Sequence, residues 1–487
     1  MRIEISTMKG EIPRLESHLL PNEAASLAFD CTYERGVVAP MRSDQEHGTL
    51  ATLSPVTLFY YAHSHWFTFT QRVSVIANPM AQDAYQRVYW TGQGKPKVTA
   101  QDIAVTQGQM PAAWYDLGVP RPMGKPVLIE KPGSTVTVQL APMSVNTHNI
   151  THTRLYRSVS ASGVGDYLLV AELPISQTEY LDSARNVNGP PIETWDYDMP
   201  DANMQGLCTM ANGICAGFAG NEVMFSEAYL PYAWSKSHRG VTDDDIVAIA
   251  PIETSLVVVT KGKPYLFSGV TPSMVTSIRL NVEQACVSAP SLVVINGMAM
   301  YASPDGLVAI SGTSAIVITE GIMDRESWQN FMPTTIKAWV AEGQYIAQYQ
   351  GGAFIFDPST HSLTRLSNTW DSAFHYLHDD TLFIAKGNTL NAWQRGHQPV
   401  AMTWQTKAFL IPQHAFLTCA RLEAKAPERL RVTVIVDGEA IFKLEQGELT
   451  HAPFRFPAVR GSRWQIKVEG TSQVERIVMA DSLSELY

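Results

Sequence analysis

Between about residues 210 and 395 short apolar runs alternate with turn-forming residues at a regular spacing. Ala216 to Phe218 leads through Gly220-Asn221-Glu222 into Val223 to Phe225, and Leu256 to Thr260 leads through Lys261-Gly262-Lys263 into Tyr265 to Phe267. Ala299 to Ser303 turns at Pro304-Asp305-Gly306 into Leu307 to Ile310, and Tyr345 to Tyr349 turns at Gln350-Gly351-Gly352 into Ala353 to Phe356. Leu382 to Ala385 repeats the pattern through Lys386-Gly387-Asn388 into Thr389 to Trp393. Apolar runs joined by tight turns rich in Gly, Asn, Asp or Pro read as β-hairpins. Their turn centres, Asn221, Gly262, Asp305, Gly351 and Gly387, lie 41, 43, 46 and 36 residues apart. A unit near 40 residues with two strong inner strands and weaker flanking ones fits a propeller blade, which needs four strands in about 40–45 residues. The pattern therefore predicts an all-β chain built around a β-propeller. Helical periodicity is scarce, and Ser327 to Asn330 is one of few short candidates.

An earlier hairpin, Thr57 to Tyr61 and Trp66 to Thr70 around His63-Ser64-His65, is separated from the next by more than one blade. Pro120, Pro122 and Pro126 open the intervening segment, which runs through Thr135 to Leu140, Thr153 to Ser158 and Tyr167 to Ala171. The order of Tyr156-Arg157-Ser158, Gly163 to Asp166, Tyr167 to Val170 and Thr178 to Asp182 resembles the later strands of fibronectin type III modules. After Trp404 the period is lost, and Leu430 to Val436, Asp437-Gly438, Trp464 to Val468 and Val474 to Ala480 read as a separate β module. The expected organisation is an amino-terminal extended segment (1–40), a first propeller part (41–118), an inserted fibronectin III-like sandwich (119–200), the main blades (201–403) and a carboxy-terminal β domain (404–487).

At 487 residues the chain is too long for one hydrophobic core. Charged residues make up 17%, below the usual ~25%, so Ser, Thr, Asn and Gln carry much of the polarity. Lys plus Arg number 36 against 46 Asp plus Glu, which leaves no general attraction for nucleic acid or anionic lipid. Cys31, Cys208, Cys215, Cys286 and Cys419 are scattered, without the spacings of a zinc site or a disulfide framework, and read as reduced thiols. No apolar run follows Met1-Arg2-Ile3-Glu4-Ile5, and none elsewhere reaches the ~18 residues of a bilayer span, so the expectation is maturation in a reducing cytoplasm without membrane insertion.

Propellers often carry active sites, so each catalytic alternative has to be set against a plain structural one. Ser303-Pro304-Asp305-Gly306 is similar to a sialidase aspartate box, but its spacer and downstream aromatic are wrong, and a hairpin turn accounts for it. His148 and His152 have a helical metal-ligand spacing in a stretch rich in turn and β-branched residues, so they read as loop histidines. His63 and His65 flank a turn with no acidic or cysteine partner nearby. Asp243-Asp244-Asp245 lacks the closing Glu of a calcium loop, and Gly92 to Lys97 lacks the Gly-Lys-Ser/Thr ending of a phosphate loop. Asn149-Ile150-Thr151 is a formal glycosylation sequon. No catalytic, cofactor-binding or metal-binding residue is assigned, and the chain reads as a non-enzyme with no cofactor.

Several segments occur in an order that resembles the tail nozzle proteins of short-tailed bacteriophages. They are Gly10 to Arg14 with Leu19-Leu20-Pro21, Ala24 to Ala28, Gly36 and Pro40; Pro231-Tyr232-Ala233-Trp234; Thr260 to Gly269 with Pro272; Cys286 to Ser291; and Tyr301 to Leu307. Met402 to Lys407, with Thr406 where Ser is usual, and Val478 to Ser482 with Glu485-Leu486 complete the series. The resemblance implies a virion tail subunit made in the host bacterial cytoplasm. It implies self-association in a ring, expected as a hexamer, below portal and adaptor proteins, with double-stranded DNA passing through the channel and fibres or spikes docked on the rim. The alternative is a receptor- or glycan-binding propeller using exposed aromatics such as Tyr60, Trp66 or Trp90, and a third reading is a glycan-cleaving propeller, for which a matched carboxylate pair is missing.

Overall fold

A computed structural model describes residues 1–62, 65–105, 111–133, 135–143, 145–158, 165–184, 186–412 and 416–487. Among these residues the regular structure is nearly all strand, with two α-helices, Gln101–Ala104 and Arg325–Gln329, and short 3-10 turns. The two strands of each of the five expected hairpins are neighbours in a sheet. Cys215–Ala219 pairs Glu222–Phe225, Ser255–Thr260 lies beside Tyr265–Ser268, and Met298–Ala302 pairs Leu307–Ser311. Gln344–Tyr349 pairs Gly352–Asp357, and Thr381–Lys386 pairs Thr389–Ala392.

Flanking strands extend four of these hairpins into runs of four strands that follow chain order, and the fifth borrows its last strand from elsewhere in the chain. Sheet I comprises Ser74–Ala77, Val88–Thr91, Lys97–Thr99 and Tyr115–Asp116; its last two strands are too short to leave a pattern in the sequence. Sheet II runs from Gln205–Thr209 to Arg239–Val241, sheet III from Ile246–Ile252 to Thr276–Arg279, and sheet IV from Val293–Ile295 to Ser314–Val317. Sheet V runs from Lys337–Ala341 to Ser362–Leu366. Sheet VI holds Ser372–Tyr376, Thr381–Lys386 and Thr389–Ala392, and takes its fourth strand, Gln45–Thr49, from far earlier in the chain. None of these sheets closes on itself.

The chain divides into two compact units, Met1–Thr70 with Val257–Leu266 and Ile278–Tyr487, and Gln71–Leu256 with Phe267–Ser277. In the first, sheet V is buried on both faces. Tyr345 and Phe354 share a core with Met300, Leu307 and Trp328, while Ile346 and Ile355 share another with Leu382 and Ile384. A strand covered on both faces needs apolar residues at both parities, which is why these segments read as continuous runs and not as alternation. The turn of sheet IV passes so close to its outer strand that a Cβ added at Gly306 would collide with Val317 Cγ1 of that strand and with Thr319 Oγ1 just beyond it.

Residues 1–40, expected as an extended segment, carry five strands. Arg2–Ile5 pairs Val474–Ala480, which also pairs Cys419–Ala424. Lys9–Glu11 and Ala24–Phe29 continue sheet V past Ser362–Leu366 and lead into Met402–Thr406, Arg463–Gly470, Leu430–Val436 and Glu439–Leu444. The carboxy-terminal β region is thus completed by amino-terminal strands. Its core joins Ile5, Met8 and Ala28 to Trp404, Val432, Trp464 and Ile477. Lys9-Gly10-Glu11 gave no strand signal because it is short and polar, yet it fits closely: a Cβ on Gly10 would overlap the Leu363 carbonyl oxygen.

In the second unit, sheets I and II accompany the inserted segment. Val127–Lys131, Thr135–Gln139 and Glu179–Asp182 form a three-stranded antiparallel sheet, and His152–Ser158 pairs Tyr167–Pro174 with an irregularity after Leu155. Of the turn expected over Gly163 to Asp166, the part before Gly165 lies outside the described residues.

Candidate functional site

A hollow of about 650 Å³ opens where the amino-terminal segment crosses sheet V, lined by residues 11–17, Leu20, Ala25, Ser26, the helix around Ser327, Tyr349 and Arg365. Much of its wall is the Gly10 to Arg14 segment singled out from the sequence. The helix is anchored by its own chemistry: Asp324 Oδ1 accepts the Ser327 N–H at 2.8 Å, and the indole of buried Trp328 donates to the Ser303 carbonyl at 2.8 Å. That backbone bond holds the Asp324 carboxyl below its usual range. The Arg14 amide donates to the Ile322 carbonyl at 2.8 Å, and its guanidinium donates to the Glu320 carbonyl.

Glu11 forms the floor and is 2% exposed. Its Oε1 accepts the Ala28 N–H at 2.8 Å and its Oε2 accepts from Arg365 Nε at 3.0 Å. Burial pushes the Glu11 carboxyl up from its ordinary value, against the pull of the Arg365 charge. The Arg365 guanidinium lies 6.0 Å from the Phe29 ring and 5.7 Å from the Phe331 ring. Tyr349 packs edge-on to Phe331 at 5.3 Å. Chemically this is a held guanidinium beside a committed carboxylate, an arrangement suited to binding. Sequence reasoning missed Arg365 because nothing in Ser362 to Leu366 marks it, and its partner lies 354 residues away.

The other residues considered from the sequence are dispersed. Asp305 occupies the hairpin turn of sheet IV, with Oδ2 accepting from Gln284 Nε2 at 2.7 Å. His148 Nδ1 lies 2.9 Å from the Asp116 carbonyl and His152 begins a strand, so the four-residue spacing is not helical. His63 lies outside the described residues, and His65 sits edge-on to Phe67 with its pKa lowered by burial. Asp243 to Asp245 join sheets II and III, where Thr242 Oγ1 donates to the Asp244 carbonyl at 2.7 Å. Gly92 to Pro96 make the turn before Lys97, whose ammonium lies 4.7 Å from the Trp114 ring centroid. Asn149 sits in a turn bracketed by the Asn146 side chain. Among the described residues no group of three or more His, Cys, Asp or Glu is placed to hold a metal.

Two of the aromatics expected on the surface are in the core: Trp66 is 4% exposed, packed edge-on against Phe374 and Phe383 of sheet VI, and Trp90 is 1% exposed, edge-on to Trp114. Tyr60 is half-buried against Trp66 and Tyr376. The five cysteines form no disulfide; Cys31, Cys215, Cys286 and Cys419 are buried, and burial pushes the Cys215 thiol up to about 11. Buried Trp234 closes its own loop by donating to the Pro231 carbonyl at 2.7 Å. Trp404 donates to the Lys9 carbonyl at 3.1 Å, tying the strand that follows the repeats to the amino-terminal segment.

No family model matches the chain, and no curated protein matches it. Among solved structures it is similar to the extracellular domain of a putative one-component system from B. thetaiotaomicron, at 10% identity over 92% of this chain and 59% of that chain, with a TM-score of 0.34. It is similar also to PorZ, a bacterial surface component of the type-IX secretion system of Porphyromonas gingivalis, at 12% identity over 88% and 60%, TM-score 0.31. A third is apo AztD from Citrobacter koseri, at 11% identity over 63% and 73%, TM-score 0.27. The chain spans about three fifths of the length of the first two.

Proposed function

We propose that the chain is a virion structural protein, a tail nozzle ring subunit of a short-tailed bacteriophage that forms part of the DNA channel and a platform for fibres or tip proteins. In this reading the repeated sheets are blades of a β-propeller, residues 119–200 are a fibronectin type III-like insert, and the terminal β region is a second handle. The observation that carries it is the succession of four-stranded meanders at the interval read from the sequence, with the segments that resemble nozzle proteins at their turns and exits. Pro231 to Trp234 lies between the last two strands of sheet II, Tyr301 to Leu307 makes the central turn of sheet IV, and Met402 to Thr406 is the strand that leaves the series. Heterologous ring contacts need two different surfaces per subunit, and modules outside the repeats supply them. A net charge of −10 suits a conduit that must not grip phosphates.

Sedimentation of the purified chain, alone and with its adaptor, tests the ring, and imaging of the intact particle tests its place. A six-fold collar at the tail is the expected result; a chain that stays monomeric at every concentration, or that cleaves host polysaccharide, overturns the proposal. The glycan-binding alternative loses Trp66 and Trp90 to the core.

A further inference from the structure

The hollow beside sheet V holds an unspent recognition group. Arg365 gives Nε to Glu11, and its two Nη groups have no protein acceptor among the described residues, although the side chain is 36% exposed and lines the cavity. Nε bonding and the two flanking rings fix the guanidinium plane, so the open fork is presented without further ordering. Such a fork takes a planar carboxylate through two parallel N–H···O bonds. Three exposed carboxylates, Glu16, Asp324 and Glu326, line the hollow and outnumber its one further cation, Arg14. They repel a phosphate dianion more than a single carboxylate, and they favour a ligand with a cation beside its acid.

We propose that this hollow is a socket for a glutamate followed by a lysine, presented by a second copy of the chain as Glu130-Lys131 of its inserted module. The choice of a second copy rests on the ring reading; the chemistry of the socket does not. Charge complementarity selects the plug: every residue from 121 to 133 is exposed, and Glu130 and Lys131 close a strand just before the Pro132-Gly133 turn. Val127, Leu128 and Ile129, all exposed, bring apolar area that an ion pair lacks.

The test uses the full chain and a blocked peptide of residues 127–133, with its Glu130→Gln form as control, followed by calorimetry. The expected result is binding at least about tenfold tighter for the Glu peptide, a similar loss for the Arg365→Lys protein, and no competition from inorganic phosphate. Equal binding of the two peptides, no binding at low millimolar concentration, or displacement by phosphate overturns the proposal. Should Arg365→Lys fail to fold, the peptide pair on the unaltered protein still decides. Sedimentation of full-length Glu130→Gln, altered only at an exposed position, separates the two readings. A ring that forms equally well in both proteins sinks the plug and keeps the ring; peptide discrimination without any ring sinks the ring and keeps the socket.

Discussion

Sheets IV and V and the inserted segment 119–200 are similar lengths of β-structure built on opposite plans. In sheets IV and V, Met300, Tyr301, Leu307, Val308, Tyr345, Ile346, Phe354 and Phe356 are all fully buried. In the insert the buried apolar side chains among the described residues are Val138, Leu173, Val187 and, at its end, Pro200, and Val127–Lys131 is exposed throughout. A strand covered on both faces draws stability from every residue, whereas a small module with one thin core leaves most of its apolar surface for something else to cover.

The largest effect should come from Trp328→Ala in the first region. It removes a fully buried indole packed near Phe331 and Phe354 and leaves the Ser303 carbonyl without its donor, at a cost of about 3–5 kcal/mol read from urea unfolding. A loss below about 1 kcal/mol would mean this core is far looser than its packing implies.

Next is Asp83→Asn, in the loop between the first two strands of sheet I. Asp83 accepts from Arg87, Asn78 and the Tyr85 and Arg87 amides, and the Arg87 bond foremost holds its carboxyl well below the usual range. The expected cost is about 2 kcal/mol near neutral pH. Because the unfolded chain binds this proton more tightly, the contribution is complete above about pH 5 and fades as pH falls below the ordinary Asp value of about 3.9 toward the lower folded one. The gap between the unfolding midpoints of the two proteins should therefore hold steady from neutral pH to about pH 5 and narrow with further acidification.

Arg157→Gln tests the insert's own anchor. Arg157 pairs at 2.6 Å with the buried Asp182 side chain, but the arginine end is open to solvent, so the loss in urea unfolding should be about 1 kcal/mol. Leu128→Asn should change stability by less than about 0.5 kcal/mol while reducing self-association in sedimentation. If it destabilised as much as the buried sites, the insert's outer strand would be part of a core after all, and the contrast would fail.

The hairpins of sheets II to VI were legible because tight turns recur between runs apolar at both parities. The last strands of sheet I, Lys97–Thr99 and Tyr115–Asp116, were not, since two or three residues carry no period. Nor was the role of Lys9-Gly10-Glu11, where backbone fit against Leu363 decides the pairing and composition says nothing. The socket was half visible: the segment containing Glu11 and Arg14 stood out, while Arg365 became significant only through a partner far along the chain.

The pairing of Arg2–Ile5 with Val474–Ala480 has a consequence for biosynthesis. At ribosomal speeds of about 5–20 residues per second, the first strand must wait on the order of half a minute or more for its mate to emerge. Throughout that interval the leading residues are an unclaimed β-edge beside a growing polypeptide. Slowing translation of the codons just before Val474 should therefore lengthen chaperone occupancy of Arg2–Ile5 in the nascent chain.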